Sequence, residues 1–240
     1  MSNDASKYLE QYERHRAEGD SSSRFLGLAA FLRGRLDSQA ARMGQVGRHA
    51  LFLPRVLELC GIANDGPLTV MEFGAGDGWA MHYNRPGLRR IAVDASSNFA
   101  PHLAELGIEF VEHDLSVAGI PGADGSVDLI VVNHLIEHLA DPRIMLAECH
   151  RLLRPGGALY LRTPDIARVG WRFYDDYTHV KPFTPTGLRE LCAAHDFTAV
   201  FCFASDHSRI NLDLLSRGHL RRFLFGRWLG GAEIEAAFTK

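Results

Sequence analysis

With 240 residues, 46% of them apolar and 23% charged, the chain has the length and composition of one globular α/β domain with a buried core, which excludes a disordered or fibrous chain. A formal net charge of −3 and an isoelectric point near 6.4 argue against a surface built to neutralise phosphates, so no nucleic-acid partner is expected. The N-terminus MSNDASKYLEQYERHR lacks an apolar signal core, and no apolar run approaches the ~20 residues that span a bilayer. The cysteines Cys60, Cys149, Cys192 and Cys202 form no C-x-x-C pair and read as buried free thiols, so a cytoplasmic protein is expected.

Residues 5 to 60 show apolar side chains at helical spacing, Phe25, Leu28, Ala29 and Leu32, then Leu51, Leu53, Val56 and Leu57, with a break at Gly19-Asp20-Ser21-Ser22-Ser23. This predicts a helical appendage or lid over residues 1–66, followed by the main domain over 67–240. From Leu68 the pattern changes to short apolar, β-branched runs: 69–74, 90–94, 108–114, 128–134 and 157–164. Near-continuous apolar character predicts strands buried on both faces, as in a parallel sheet covered by helices. Between the fourth and fifth, Asp141 as N-cap, Pro142 at the first helical position and a stop at Arg154-Pro155-Gly156-Gly157 predict a crossover helix. A further helix beginning near Thr184-Pro185-Thr186 precedes two more strands, 197–203 and 233–239.

The first strand runs out through Glu72-Phe73-Gly74-Ala75-Gly76-Asp77-Gly78, where glycines permit positive φ and let a ligand approach the backbone. A dinucleotide fingerprint, G-x-G-x-x-G/A, needs a small third residue, but Trp79 or Met81 stands there, so a pyrophosphate is the weaker reading. Glu72 would repel phosphates and attract an ammonium. Asp94 closes the second strand twenty positions after Gly74, the spacing at which a carboxylate grips ribose hydroxyls. Asp114 closes the third and could accept from an adenine amino group, although either aspartate alone could be an ordinary cap.

Taken in order, VMEFGAGDGW, IAVDAS, VEHDLS, GSVDLIVVNHLIEHLADP and CHRLLRPGGALYLRTPD resemble the class I S-adenosylmethionine-dependent methyltransferases, in particular their small-molecule branch and its type 11 domains. The resemblance covers about residues 68 to 165. It implies a Rossmann-like, mostly parallel seven-stranded sheet of order 3-2-1-4-5-7-6, its last strand antiparallel, with S-adenosyl-L-methionine as cofactor. The implied cofactor contacts are Glu72, Gly74, Ala75, Gly76, Gly78, Asp94, Ala95, Asp114, Leu115, Asn133 and His134. One departure stands out: the stretch from Asp77 to Arg89 is short and carries Pro86 where the family has a longer first helix.

Methyl transfer is an in-line displacement that chiefly needs alignment in a dry cleft, while a hydroxyl acceptor also needs a base. The segment Asp176-Tyr177-Thr178-His179-Val180-Lys181-Pro182-Phe183-Thr184 resembles methyltransferases of polysaccharide and glycolipid pathways. His179 is thus the expected general base, with Asp176 orienting it or touching a sugar hydroxyl; hydrogen-bonded loop residues are the plainer alternative. The expected activity is O-methylation of a small or saccharide-like hydroxylated acceptor. Methylation at nitrogen or carbon, a nicotinamide-dependent oxidoreductase and a non-catalytic nucleoside-binding module are the alternatives. His134 and His138 stand four apart, but His134 closes a strand and no third ligand lies at zinc spacing, so no metal is expected. The fourth-strand exit, Asn133-His134-Leu135-Ile136, lacks the Asn-Pro-Pro-aromatic pattern of enzymes that methylate nucleic-acid amino groups. Residues 209–229 place Arg217, Arg221, Arg222 and Arg227 among leucines and aromatics. Such a segment can rest on an anionic membrane or hold a lipid-linked substrate, although a helix packed on the sheet or on a second subunit is commoner.

Overall fold

A computed structural model describes residues 44–205 and 233–240. The helical pattern before residue 44 and the basic segment 209–229 lie outside these. Among the described residues, those from His49 onward form one compact unit.

Its centre is a seven-stranded sheet of β1 (Leu68–Phe73), β2 (Leu88–Asp94), β3 (Glu109–Glu112), β4 (Val127–Asn133), β5 (Leu153–Pro164), β6 (Thr198–Ser205) and β7 (Glu233–Thr239). The order is β3-β2-β1-β4-β5-β7-β6, as expected. β1 to β5 run parallel, whereas β7 pairs antiparallel with both β5 and β6.

The strands alternate between two cores, which is why their sequences read as unbroken apolar runs. Met71, Phe73, Ile130 and Val132 face one core; Val70, Leu129 and Val131 face the other. The first core is covered by α3 (Pro142–Leu152) and α5 (Pro185–Ala193) through Met145, Leu146, Cys149, Leu188 and Cys192. On the second lie α1 (Gly44–Leu59) and α2 (Ala100–Glu105), through Phe52, Leu53, Val56, Leu57 and Leu103. Residues expected in the appendage therefore contribute to the core, and Leu51, grouped with that stripe by spacing, points outward at 52% exposure. The four-residue helix α4 (Ile166–Val169) follows β5.

The helix stops and starts follow local chemistry. Asp141 accepts from the Arg143 amide ahead of Pro142, and the Thr184 hydroxyl accepts from the Gly187 amide ahead of α5, so each caps an orphan donor of a first turn. Between β1 and β2 there is one 3-10 turn, Trp79–Met81, in place of an α-helix. Two contacts compensate. Gly78 holds φ +70° so close to α2 that a Cβ would lie 2.5 Å from Leu103 Cδ2. The buried Arg90 guanidinium donates to the Met81 carbonyl at 2.7 Å and to Leu106 at 2.7 Å, tying the turn to the end of α2.

All four cysteines are free and buried, and burial raises the thiol of Cys60 to about 12. No helix among the described residues is long and apolar enough to cross a membrane.

Candidate active site

Because β1 to β5 are parallel, their carboxyl ends share one edge of the sheet, the edge at which open α/β sheets hold ligands. Gly74 continues the ladder, donating to the Val93 carbonyl at 2.9 Å, and the chain then turns through Gly74, Gly76 and Gly78, with φ of 69°, 50° and 70°. A Cβ on Gly76 would meet nothing within 4 Å, so this bend presents bare backbone to open space.

Asp94, at the end of β2, accepts from the Gly76 amide at 3.0 Å through Oδ2 and from the Ser96 amide at 3.0 Å through Oδ1. This fixes the carboxylate beside the glycine bend. Glu72 is buried at the base of the edge, where Asn133 Nδ2 donates to its Oε1 at 3.2 Å. Burial raises its carboxyl to about 8; Asp77 and Asp94 push the same way and Asn133 opposes them. Glu72 Oε2 and Asn133 Oδ1 are buried with no hydrogen-bond partner. Unpaired buried acceptors are costly, so these two oxygens fit a ligand that brings donors. Together with the open face of Gly76, they match a cationic amino-acid nucleoside.

The structure links Glu72 to Asn133, and Gly76 to Asp94. Asp114 stands apart: its Oδ1 takes the Ser116 amide at 2.9 Å and the Ser116 hydroxyl at 2.6 Å, which hold it below the usual carboxylate range. Its Oδ1 therefore caps the turn. Ala75 and Leu115 bury their side chains in the two cores, and Ala95 is exposed just past Asp94.

His134 takes the left-handed conformation, φ 49°, and its ring lies between two carboxylates: Nε2 is 2.7 Å from Glu233 Oε1, and Nδ1 is 3.3 Å from Glu137 Oε1. Burial lowers its basicity, but the two carboxylates outweigh this and hold it up at about 9, so the ring is cationic at neutral pH. Glu233, from β7, also pairs with Arg162.

Beyond His134 the chain makes a second cluster. The turn Ile136–His138 is pinned to the loop after α4, because the amides of Val180 and Lys181 both donate to the Glu137 carbonyl, at 2.9 and 3.0 Å. His138 and His179 thereby meet with ring centroids 4.8 Å apart. His179 Nδ1 is 2.7 Å from the Phe173 carbonyl oxygen, and its Nε2 is 3.8 Å from Asp176 Oδ2. Asp176 accepts from the amide and hydroxyl of Thr178, at 2.9 and 2.6 Å, and the same hydroxyl oxygen is 2.9 Å from His138 Nδ1. The expected pair His179 and Asp176 is therefore adjacent, and it is joined by His138 and Glu137. In the sequence, His138 pairs by spacing with His134 and, after Glu137, reads as support for the cofactor loop. Nothing in the spacing announces a contact that depends on the loop after α4 folding back over the end of β4.

The family described as "Methyltransferase domain" matches residues 45–200. The chain is 31% identical over 180 residues to a malonyl-[acyl-carrier protein] O-methyltransferase of Methylococcus capsulatus, covering 67% of this chain and 61% of that protein. It is 32% identical over 132 residues to malonyl-[acyl-carrier protein] O-methyltransferase 1 of Coxiella burnetii, covering 54% of this chain and 46% of that one. The chain thus spans about half the length of these curated relatives. Among solved structures, an S-adenosylmethionine-dependent methyltransferase of Mesorhizobium loti superposes with a TM-score of 0.58 at 15% identity, over 78% of this chain and 96% of its own. A family match spanning most of the described sheet and the glycine-floored edge agree, and the chain belongs to the S-adenosylmethionine-dependent methyltransferases.

Proposed function

We propose that the chain methylates a hydroxyl oxygen of a small, saccharide-like acceptor, with S-adenosylmethionine along the edge from Glu72 to Asp94 and the acceptor beside His179. The cofactor supplies a sulfonium-borne methyl group whose transfer discharges the cation. The observation that carries the reading is the orientation of His179. A carbonyl can only accept, so the Phe173 contact places the proton on Nδ1 and leaves Nε2 as a lone pair beside Asp176. That is the arrangement a hydroxyl needs to lose its proton. Support for a sugar comes from exposed aromatic faces on the same loop: Trp171 at 87%, Tyr174 at 49% and Tyr177 at 65%. Rings left in water can stack on the apolar faces of a saccharide.

The names of the relatives favour a second reading, a carboxyl acceptor. A carboxylate is already ionised and needs no base. Substituting His179→Ala should therefore lower kcat about 100-fold for a hydroxyl acceptor, with binding of S-adenosylmethionine unchanged. The assay follows labelled methyl transfer to a panel of sugars, glycolipid headgroups and carboxylic acids. A variant that keeps its rate on its best acceptor would remove the hydroxyl reading.

Glu72 supplies a pH-dependent test of the cofactor edge. Its carboxyl, raised to about 8 in the free protein, is neutral over most of the window above its ordinary 4.5. The stability this gives the free fold is present at low pH and is lost as pH rises through about 8. A bound ammonium would favour the ionised form, so binding should expel a proton inside that window, and affinity should climb with pH until about 8. Calorimetry at pH 6.5 in two buffers of different ionisation enthalpy should show release approaching one proton, absent in Glu72→Gln. Equal heats in both buffers for the wild type would contradict it.

A further inference from the structure

Glu137, His138 and His179 each present a ligand atom, and these atoms lie within 4.8 Å of one another. We propose that they bind a divalent transition-metal ion, zinc or an ion of similar chemistry, which in turn holds the acceptor oxygen. The role of the ion rests on the hydroxyl-methylation reading; its binding does not.

Three features set this cluster apart from a chance grouping. The first is the state of the two rings. His179 Nδ1 gives its proton to the Phe173 carbonyl. His138 Nδ1 faces the Thr178 carbonyl at 3.2 Å and the Thr178 hydroxyl oxygen at 2.9 Å, and that hydroxyl spends its own proton on Asp176. Both Nδ1 atoms are therefore donors, and both Nε2 atoms keep their lone pairs. Imidazoles that bind metals are held in this way, the second nitrogen donating to a carbonyl or a carboxylate-linked group.

The second feature is Glu137, a fully buried residue. The Thr163 hydroxyl donates to its Oε2 at 2.9 Å, and its Oε1 faces the His134 ring at 3.3 Å, so the carboxylate is held in place from both sides. A buried carboxylate fixed in this way is a preorganised oxygen ligand, and a metal ion would share it with the His134 cation. The third is a further carboxylate beside the cluster: Asp176 Oδ2 lies 3.8 Å from His179 Nε2.

Two imidazoles and one carboxylate suit zinc and its neighbours, whereas magnesium prefers oxygen ligands and retains its waters. Three protein ligands also leave coordination positions open, as in catalytic sites. A hydroxyl bound there would be acidified by the ion. With the ion in place the His179 lone pair is taken up as a ligand, so acidification by the ion would replace His179 as the means of removing the hydroxyl proton, which passes to solvent by way of Asp176. The oxygen–methyl bond then forms as the methyl–sulfur bond breaks, and the sulfonium leaves as a neutral thioether.

The test uses the full chain, stripped with a chelator and titrated without cofactor or acceptor: zinc by calorimetry, cobalt by visible absorption. Zinc should bind at one ion per chain and raise the melting temperature, and cobalt should develop ligand-field bands. His179→Ala and His138→Ala should each weaken binding at least about tenfold and abolish the zinc-dependent shift in melting temperature. Glu137→Gln should do the same; if its buried site does not tolerate the change, His179→Ala, nearer the surface, still decides. No uptake by the wild type would overturn the proposal, as would uptake undiminished in both histidine variants, since the chain has 12 histidines. Methyl transfer to carboxylic acids alone, with zinc bound as described, would sink the hydroxyl reading and leave the ion site standing.

Discussion

Replacing Asp94 with alanine is expected to weaken S-adenosylmethionine binding by two to four orders of magnitude while the protein stays folded. A carboxylate offers about four lone-pair sites. Two are taken by the amides of Gly76 and Ser96, each at 3.0 Å, which leaves capacity for two ribose hydroxyls. Hydrogen bonds to a charged group contribute about 1.5–3 kcal/mol each, so losing two costs about 3–6 kcal/mol, roughly 10²- to 10⁴-fold in affinity. The fold should tolerate the change, because both amides are only partly buried and water can replace the carboxylate. Calorimetry with S-adenosylhomocysteine, paired with a melting curve, separates the two effects. Asp94→Asn keeps one acceptor oxygen and should fall between wild type and alanine. Affinity within threefold of wild type in Asp94→Ala would mean that the ribose is held elsewhere.

Asp114 gives an internal contrast. It too closes a strand in the sequence pattern, but its Oδ1 is consumed by Ser116. Each carboxylate spends two acceptor sites on neighbouring donors, so the two differ in which donors those are. What separates Asp94 is that its partner amide belongs to the glycine bend of a different strand, a long-range contact.

This contrast explains how much of the protein could be read from its residues. The strands were legible because burial on both faces leaves long apolar runs, and α3 and α5 because Asp141-Pro142 and Thr184-Pro185 are local capping signals. The glycine bend was legible for the same reason: positive φ is a demand of the chain on itself. Less could be read where the determinant is distant. Leu51 falls within a helical run of apolar residues yet faces water, since only the packing of α1 decides which stripe is buried. The missing first helix was visible in the short Asp77 to Arg89 stretch, but its replacement by the Arg90 bridge to Met81 and Leu106 was not. His138 meets His179, and His134 meets Glu233, only through the folded topology.

Glu233 also carries the largest stability effect expected from one side chain. It pairs with Arg162 through Nη2 at 2.5 Å and Nε at 3.1 Å, and with the His134 ring at 2.7 Å, and its carboxylate is 4% exposed. These contacts join the start of β7 to the ends of β5 and β4, the strands that carry Thr163 and Asn133. Removing Glu233 would leave the largely buried Arg162, 19% exposed, without its counter-charge, and breaking a buried pair in this way costs about 3–5 kcal/mol. Glu233→Ala should therefore lower the melting temperature by roughly 6–20 °C, at about 2–4 °C per kcal/mol for a chain of this size. The surface pair of Arg89 and Glu109 is the control, with two contacts of 2.8 and 2.7 Å between side chains 57% and 54% exposed. Its geometry is at least as good, yet solvent screening and side-chain entropy limit it to about 0–1 kcal/mol. If Glu109→Ala proved as damaging as Glu233→Ala, burial would not be what sets the strength of these pairs. If both were silent, the joint between β4, β5 and β7 would be held by the apolar cores alone.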